Sequence, residues 1–463
     1  MGCRMTLERD SLGEIDVPDD AYYGAETARA RDNFPIARRG LPLELIHALA
    51  QIKQAAAHVN SALGILSPKL AKAIIAAAGE VVAGKYDNQF VVDVFQTGSG
   101  TSTNMNANEV IAKRANELLT GNRQPKDPVH PNDHVNLGQS SNDVFPTAIH
   151  LAALLALDRD LIPALDELRQ AFAQKAREFD DVTKIGRTHL QDATPVRLGQ
   201  EFAGYARMIE RGGQRLAEAR PALEEVALGG TAVGTRLNTH PEFAARTLAD
   251  INSHAGLNLR PAENYFEALG SRHAIVAASG ALKTIACDLM KIANDLRLLS
   301  SGPRCGLGEI SLPALQPGSS IMPGKVNPVI PESVCQVAAQ VIGNDAAITI
   351  GGQSGLLELN VMMPIMADNL LESIRLLANV SRLFATRCVA GITANRERCE
   401  QLVEQSQALA TALAPRLGYD AAARLCATAM REGRSIREIA ARDSGLPPDE
   451  IARLLDVKQM TGR

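Results

Sequence analysis

At 463 residues, 46% apolar and 22% charged, the chain can bury a large core and form about two or three domains. A formal net charge of −4 with no Lys/Arg block excludes an electrostatic nucleic-acid surface, and no apolar run approaches the ~18 residues of a membrane span. Tryptophan is absent and aromatic residues make up 3%, so packing falls to Ala, Leu, Ile and Val, which favours long, closely packed helices.

The seven cysteines are scattered and contain no Cys-x-x-Cys pair. Neither a disulfide framework nor a zinc site follows, and a reducing, cytoplasmic setting is expected. The amino end lacks the apolar segment of a signal peptide. Gly2 with Thr6 fits the loose myristoylation pattern, a match short enough to arise by chance.

In chain order, Leu12–Tyr23 reads as a short extended arm, and Leu43–Leu63 and Lys69–Ala83 read as Ala-rich helices with apolar residues at helical spacing. From 96 to 143 Thr, Ser, Asn and Gly cluster, interrupted by a helix over Asn108–Leu119. Long amphipathic stretches then cover 146–179, 197–227, 272–300, 332–349 and 365–390, the pattern of a helix bundle. Beyond Gly391 the pattern shortens into Asn395–Leu413, Tyr419–Glu432, Ser435–Asp443 and Pro448–Leu455, a small C-terminal helical domain.

Three polar islands interrupt this scaffold. Thr97–Asn104 is a Gly/Ser/Thr loop entering a helix; it suits an anion through free N–H groups, and helix capping explains it equally well. It has neither the Gly-Lys-Ser/Thr of a Walker loop nor the third glycine of a dinucleotide fingerprint. The second island runs from His130 through Asn132 and Asp133 to Gln139-Ser140-Ser141-Asn142-Asp143. His130 and His134 have a metal-ligand spacing for a helix, but Pro131 and the Asn-Asp pair argue that this segment is not helical, which counts against a metal. In the third, Gly186–Pro195, an irregular stretch presents His189 among hydroxyls and amides, the setting acid–base work requires.

The most informative segment is Gly318-Ser319-Ser320-Ile321-Met322-Pro323-Gly324-Lys325-Val326-Asn327-Pro328. Its glycines and prolines exclude a helix. In an extended backbone Lys325 and Asn327 project to one side, which suits a lid over a small anion; a plain surface turn is the alternative. Together these segments offer Ser, Thr and Asn donors, one ammonium and a few histidines, an inventory matched to a small dicarboxylate. Such donors can stabilise the doubly charged aci-carboxylate formed when a proton α to a carboxylate is removed.

The loop 318–328, Gln139–Asp143 and Gly186–Pro195 together resemble the class II fumarases of the fumarase/aspartase superfamily, over almost the full chain. The resemblance implies an all-α, three-domain fold with an N-terminal domain at 1–140, a central helix bundle at 141–392 and a C-terminal domain at 393–463. It further implies a homotetramer with a twenty-helix core, active sites shared among three subunits, and no metal or organic cofactor. The reaction would be reversible anti addition of water to fumarate, giving (S)-malate. Carried over by residue, Ser319 is the base and His189, with Glu332 as its partner, handles the leaving hydroxyl. Closure of the loop, bringing backbone N–H groups and Lys325 near the Ser319 oxygen, would activate it. Ser99, Gly100, Thr101, Ser140, Ser141, Asn142, Thr188, Ser320, Lys325 and Asn327 hold the carboxylates. His130, Asn132 and Asp133 match a second dicarboxylate site, although Pro125-Lys126-Asp127-Pro128 is less basic than the usual preceding run.

Within the superfamily the rival is aspartate ammonia-lyase. Thr97–Thr101, Gln139–Asp143, His130 and Leu228-Gly229-Gly230-Thr231 are fumarase-like, whereas Val329–Glu332 and Leu359–Met362 resemble aspartases. A non-catalytic crystallin-like protein on the same scaffold would not need the intact loop and His189. Arg236 stands where the family normally has glycine, so a positive φ there would strain the backbone, and a site-facing guanidinium would bind an extra carboxylate.

Overall fold

The computed structural model describes residues 4–462, so Gly2 of the acylation pattern and Cys3 lie outside the described residues. The chain divides into two compact units: Met1–Pro163, Gln214–Ala286 and Ala339–Ala378 form the first, and Ala164–Gly213, Cys287–Ala338 and Asn379–Arg463 the second. The architecture is mostly helical, as expected, with strands confined to two-stranded pairs. Among the described residues no helix is long and apolar enough to cross a membrane.

The expected extended arm is instead a hairpin, β1 (Met5–Asp10) against β2 (Gly13–Pro18), with Asp10 opposite Gly13. β2 falls within the segment read as extended, whereas its partner β1 lies upstream of it. Arg29 clamps the turn through both Asp10 oxygens (2.6 and 3.1 Å) and the Gly13 carbonyl.

Helices α1 (Ala25–Asn33), α2 (Leu43–Ala62), α3 (Pro68–Val82), α4 (Thr101–Thr120) and α5 (Ser141–Ala156) belong to the first unit. α3 starts where the Ser67 hydroxyl accepts from Leu70 N, with Pro68 in the first turn. α4 extends about two turns upstream of its expected start, since Asn104, Asn106 and Asn108 find partners inside the fold that offset their weak helix propensity. The core of this unit is built from small residues, including Ala50, Ala57, Ala77 and Ala78 around Ile46, Ile74 and Val110. Alanines at such contacts let helix axes approach closely, which is how a chain with few aromatics fills its interior.

The stretch expected as one helix over 146–179 is α5, a π-helical turn at Leu157–Leu161, and α6 (Ile162–Glu178). Next come the hairpin β3 (Thr183–Thr188) and β4 (Gln191–Arg197), then α7 (Leu198–Leu223), α8 (Phe243–Ala255), α9 (Tyr265–Gly270), α10 (His273–Leu299), α11 (Val329–Gln353) and α12 (Met363–Arg387). The C-terminal helices are α13 (Arg396–Gln405), α14 (Ala414–Leu417), α15 (Tyr419–Glu432), α16 (Ile436–Asp443) and α17 (Pro448–Leu454). In the second unit Leu409, Leu413, Leu425, Ile436, Ile439 and Ile451 close around Ile185 of β3, anchoring the hairpin in the core of the C-terminal helices. Phe172 packs edge-on against Tyr205 and Phe384 in the same unit.

Candidate active site

The proposed site residues fall into two sets, one in each unit. In the first unit, Ser99, Gly100 and Thr101 lead into α4. A Cβ on Gly98 would lie 1.7 Å from the Val361 carbonyl oxygen, and one on Gly100 (φ 72°) would meet the Phe145 ring at 2.3 Å. Only glycine fits either position, so the loop's glycines are packing requirements. The Ser99 and Thr101 hydroxyls are joined at 2.8 Å.

Ser140 caps α5 in a reciprocal capping box with Asp143. The Asp143 carboxylate is fully buried; it accepts from Ser140 N at 2.9 Å, Gly229 N at 3.0 Å and Thr231 N at 2.9 Å. Asn142 donates to Ala232 O at 2.8 Å, so residues 229–232 brace the Ser-Ser-Asn turn from the side. Behind it, buried Lys53 of α2 donates to Asn136 Oδ1 at 2.7 Å, and Asn104 Nδ2 joins Asn136 Oδ1 (3.3 Å) to the Ser141 hydroxyl (3.1 Å). Burial pushes Asp143 up to about 6 and pulls Lys53 down to about 7, each opposed by the charge of the other.

Residues 131–135 overturn one expectation, because Pro131–Val135 forms a π-helical turn. Pro131 is tolerated at its first position, and the His130 ring supplies the cap: Nδ1 accepts from the amides of Asn132 and Asp133, both at 3.2 Å. The His134 ring in turn accepts from His130 N at 2.9 Å. Among the described residues no three His, Cys, Asp or Glu side chains are grouped to hold a metal.

In the second unit, the segment expected to be irregular at Gly186–Pro195 is the β3–β4 hairpin. Thr188 pairs with Gln191, leaving His189 (φ 56°) and Leu190 (φ 60°) as a two-residue turn. Positive φ at both central residues is the type I′ pattern that matches strand twist, normally built from Asn and Gly; lacking that signature, the hairpin was not legible. The tip is exposed, Leu190 at 73%. Its base is fixed: Arg187 makes a two-point pair with fully buried Glu309 (2.9 and 3.0 Å), and Lys184 donates to Glu201 at 2.9 Å. Glu332 lies in the first turn of α11 and, among the described residues, shares no hydrogen bond with His189.

The loop 318–328 is non-helical, as expected. Gly318 donates to Lys325 O at 2.7 Å and accepts from the Asn327 side chain at 2.7 Å; a Cβ there would come 2.6 Å from the Lys325 oxygen. Asn327 thus turns inward to close the loop, whereas Lys325 and Ser320 are exposed. Inside the closed ring the Ser319 hydroxyl oxygen accepts from Ile321 N at 3.2 Å and Met322 N at 3.0 Å.

Comparison with known proteins covers almost the whole chain. A lyase family model matches residues 13–343, and a model of the fumarase C C-terminus matches 409–462. Proteins named fumarate hydratase class II are 53% identical over 98% of this chain and 98% of theirs in Nitrosomonas europaea, and 54% identical over 98% and 95% in Mycobacterium tuberculosis. The chain belongs to the class II fumarate hydratase family. A class II fumarase crystal structure from Schistosoma mansoni superposes with a TM-score of 0.96 at 42% identity, covering 99% of each chain. A Brucella melitensis structure described as fumarate lyase:delta crystallin bound to cobalt gives 0.95 at 49% identity, covering 99% of this chain and 100% of that one.

Against this fumarate hydratase background, sequence reasoning missed the supports of the site. Lys53 had a signal: Ile46, Ala50, Lys53 and Ala57 share one buried helical stripe, and a lone lysine in such a stripe needs a partner. Arg187–Glu309 had none, being 122 residues apart. Arg236 does adopt positive φ, 62°. Its guanidinium folds onto its own loop, donating to Pro241 O at 2.7 Å and lying 6.0 Å from the Tyr265 ring centre. Left-handed backbone costs a non-glycine residue ~1–2 kcal/mol, against ~0.5–1 kcal/mol for glycine's extra unfolded entropy. Arg236→Gly is therefore expected to stabilise by about 0.5–1 kcal/mol in denaturant titration. An unchanged KM for malate in the same variant assigns the arginine to the surface, and a changed one to the substrate.

Proposed function

We propose that this chain catalyses the reversible anti addition of water to fumarate, giving (S)-malate, in a homotetramer whose active sites combine loops of three subunits. The observation that carries the reading is the Ser319 hydroxyl, held by two amides inside a glycine-closed ring. Serine is ordinarily too weak a base, but N–H donors aimed at its oxygen favour the alkoxide, and Lys325 six residues on adds positive charge to the same loop. With malate as the substrate, Ser319 takes the C3 proton, and the electron pair moves into the adjacent C4 carboxylate. Lys325, Asn327 and the hydroxyls of Ser99, Thr101, Ser140, Ser141, Thr188 and Ser320, with Asn142, hold the two carboxylates. The C2–O bond then breaks as His189, whose partner Glu332 would come from another subunit of the assembly, protonates the leaving hydroxyl, which departs as water. Base and acid act on opposite faces, which gives the anti outcome. The chemistry needs only proton transfer and charge stabilisation, so no cofactor is invoked.

The shared-site part of the proposal is supported by exposure within one chain: the His189 tip and the loop residue Ile321, 83% exposed, await a cover. The same reading keeps His130, Asn132 and Asp133 as an entrance site, divides the chain at about 140 and 392, and places the protein in the cytoplasm. With Nδ1 committed as a cap, His130 offers an entering anion only Nε2. Ultraviolet absorbance of fumarate tests the reaction: the signal should grow with malate and not with aspartate. Ammonia release from aspartate without hydratase activity overturns it.

A further inference from the structure

In the first unit, a cavity lined by none of the proposed site residues surrounds a charge with no hydrogen-bonded counterion among the described residues. It measures about 170 Å³. One wall is Ser271–Ala274, at the amino end of α10, and another includes His150 of α5. Arg272 lines it at 3% exposure. Its Nη2 donates to Leu269 O at 2.7 Å, while Nε has no hydrogen-bond partner.

Of the two carboxylates in the wall, Glu267 acts on Arg272 through its charge without a hydrogen bond, and both make their direct bonds to other groups. Glu267 pairs with His273 at 2.8 Å, and Glu225 accepts from Arg260 at 3.2 Å and from the Glu263 amide at 3.0 Å. The buried His150 ring meets Leu223 O at 3.0 Å through Nδ1 and stays neutral, since burial and the Arg272 charge pull its pKa down to about 4. A buried guanidinium with an idle donor is unfavourable unless an anion joins it. In the first turn of α10 His273 N already donates to Ser271 Oγ at 3.3 Å, and Ile275 N and Val276 N to Arg272 O at 3.1 Å, so the guanidinium is the main donor.

We propose that this cavity binds a small oxyanion, held by the Arg272 guanidinium through its idle Nε. The site is separate from the substrate residues assigned above and does not depend on their roles. A phosphate or a carboxylate would satisfy it, since both accept from Nε and Nη together.

The test is thermal unfolding of the full-length protein at constant ionic strength, with inorganic phosphate, acetate or chloride as the added anion. Phosphate or acetate should raise Tm by several degrees where chloride does not, the arm that responds identifying the oxyanion class. Arg272→Met should abolish that rise and, by removing an unpaired buried charge, raise Tm in its absence. Lys325→Met and His130→Ala should leave the rise intact. A rise that survives Arg272→Met, vanishes in Lys325→Met, or is matched by chloride overturns the proposal. Should Arg272→Met fail to fold, selenate soaked into wild-type crystals decides: anomalous density in the cavity supports the site, and an empty cavity refutes it.

Discussion

Replacing Ser319 by alanine is expected to lower kcat at least ~10²–10⁴-fold, the range a positioned general base contributes, with KM for malate little changed. The assembly should persist. Removing the hydroxyl frees only the amides of Ile321 and Met322, which are exposed and can turn to water, while the Gly318–Lys325 and Asn327–Gly318 bonds still close the loop. Lys325→Met should instead raise KM as well, since the ammonium is assigned to binding the substrate before proton transfer. Steady-state kinetics with malate, beside a measurement of mass in solution, separates the two. Substantial turnover by Ser319→Ala would make the loop a clamp and place the base elsewhere.

The largest loss of stability is expected from Asp143→Ala. Three amides, from Ser140, Gly229 and Thr231, lose their acceptor, and the buried Lys53 loses the charge that favours its protonated form. Breaking such a buried charged network costs about 3–5 kcal/mol. Lys53 can limit the loss by releasing its proton, since burial already pulls its pKa down to about 7. Asp143→Asn should cost less, because an amide oxygen can still serve part of the set. The same change frees the α5 turn that carries Ser140, Ser141 and Asn142, so KM should rise with the loss of stability. Denaturant titration and KM for malate check both, and an unchanged midpoint in Asp143→Ala would refute the bracing role.

The helical scaffold was legible because long amphipathic runs with few breakers have no stable alternative to packing as helices. α2, α10 and α15 lie within a residue or so of their sequence-derived bounds. The loop 318–328 was legible for the opposite reason, since its glycines and prolines forbid any regular element. What failed were segments whose conformation is imposed from outside. The hairpin turn at His189-Leu190 lacks turn residues and exists because Ile185 is buried among the C-terminal helices and Arg187 is locked to Glu309. The turn at Pro131–Val135 forms because a histidine ring caps it.

By itself, the sequence determined the helical class, the family and the chemical inventory of the candidate site, since periodicity, breakers and donor-rich motifs are local properties of the chain. The tertiary structure decided how that inventory is held: the buried Lys53 and Asp143 behind the Ser-Ser-Asn turn, the Arg187–Glu309 pair beneath the hairpin, and the strained backbone at Arg236. Each depends on groups distant in sequence or on a dihedral angle that only packing can enforce, and of these the burial of Lys53 alone leaves a periodic trace, as a lysine within an apolar helical stripe.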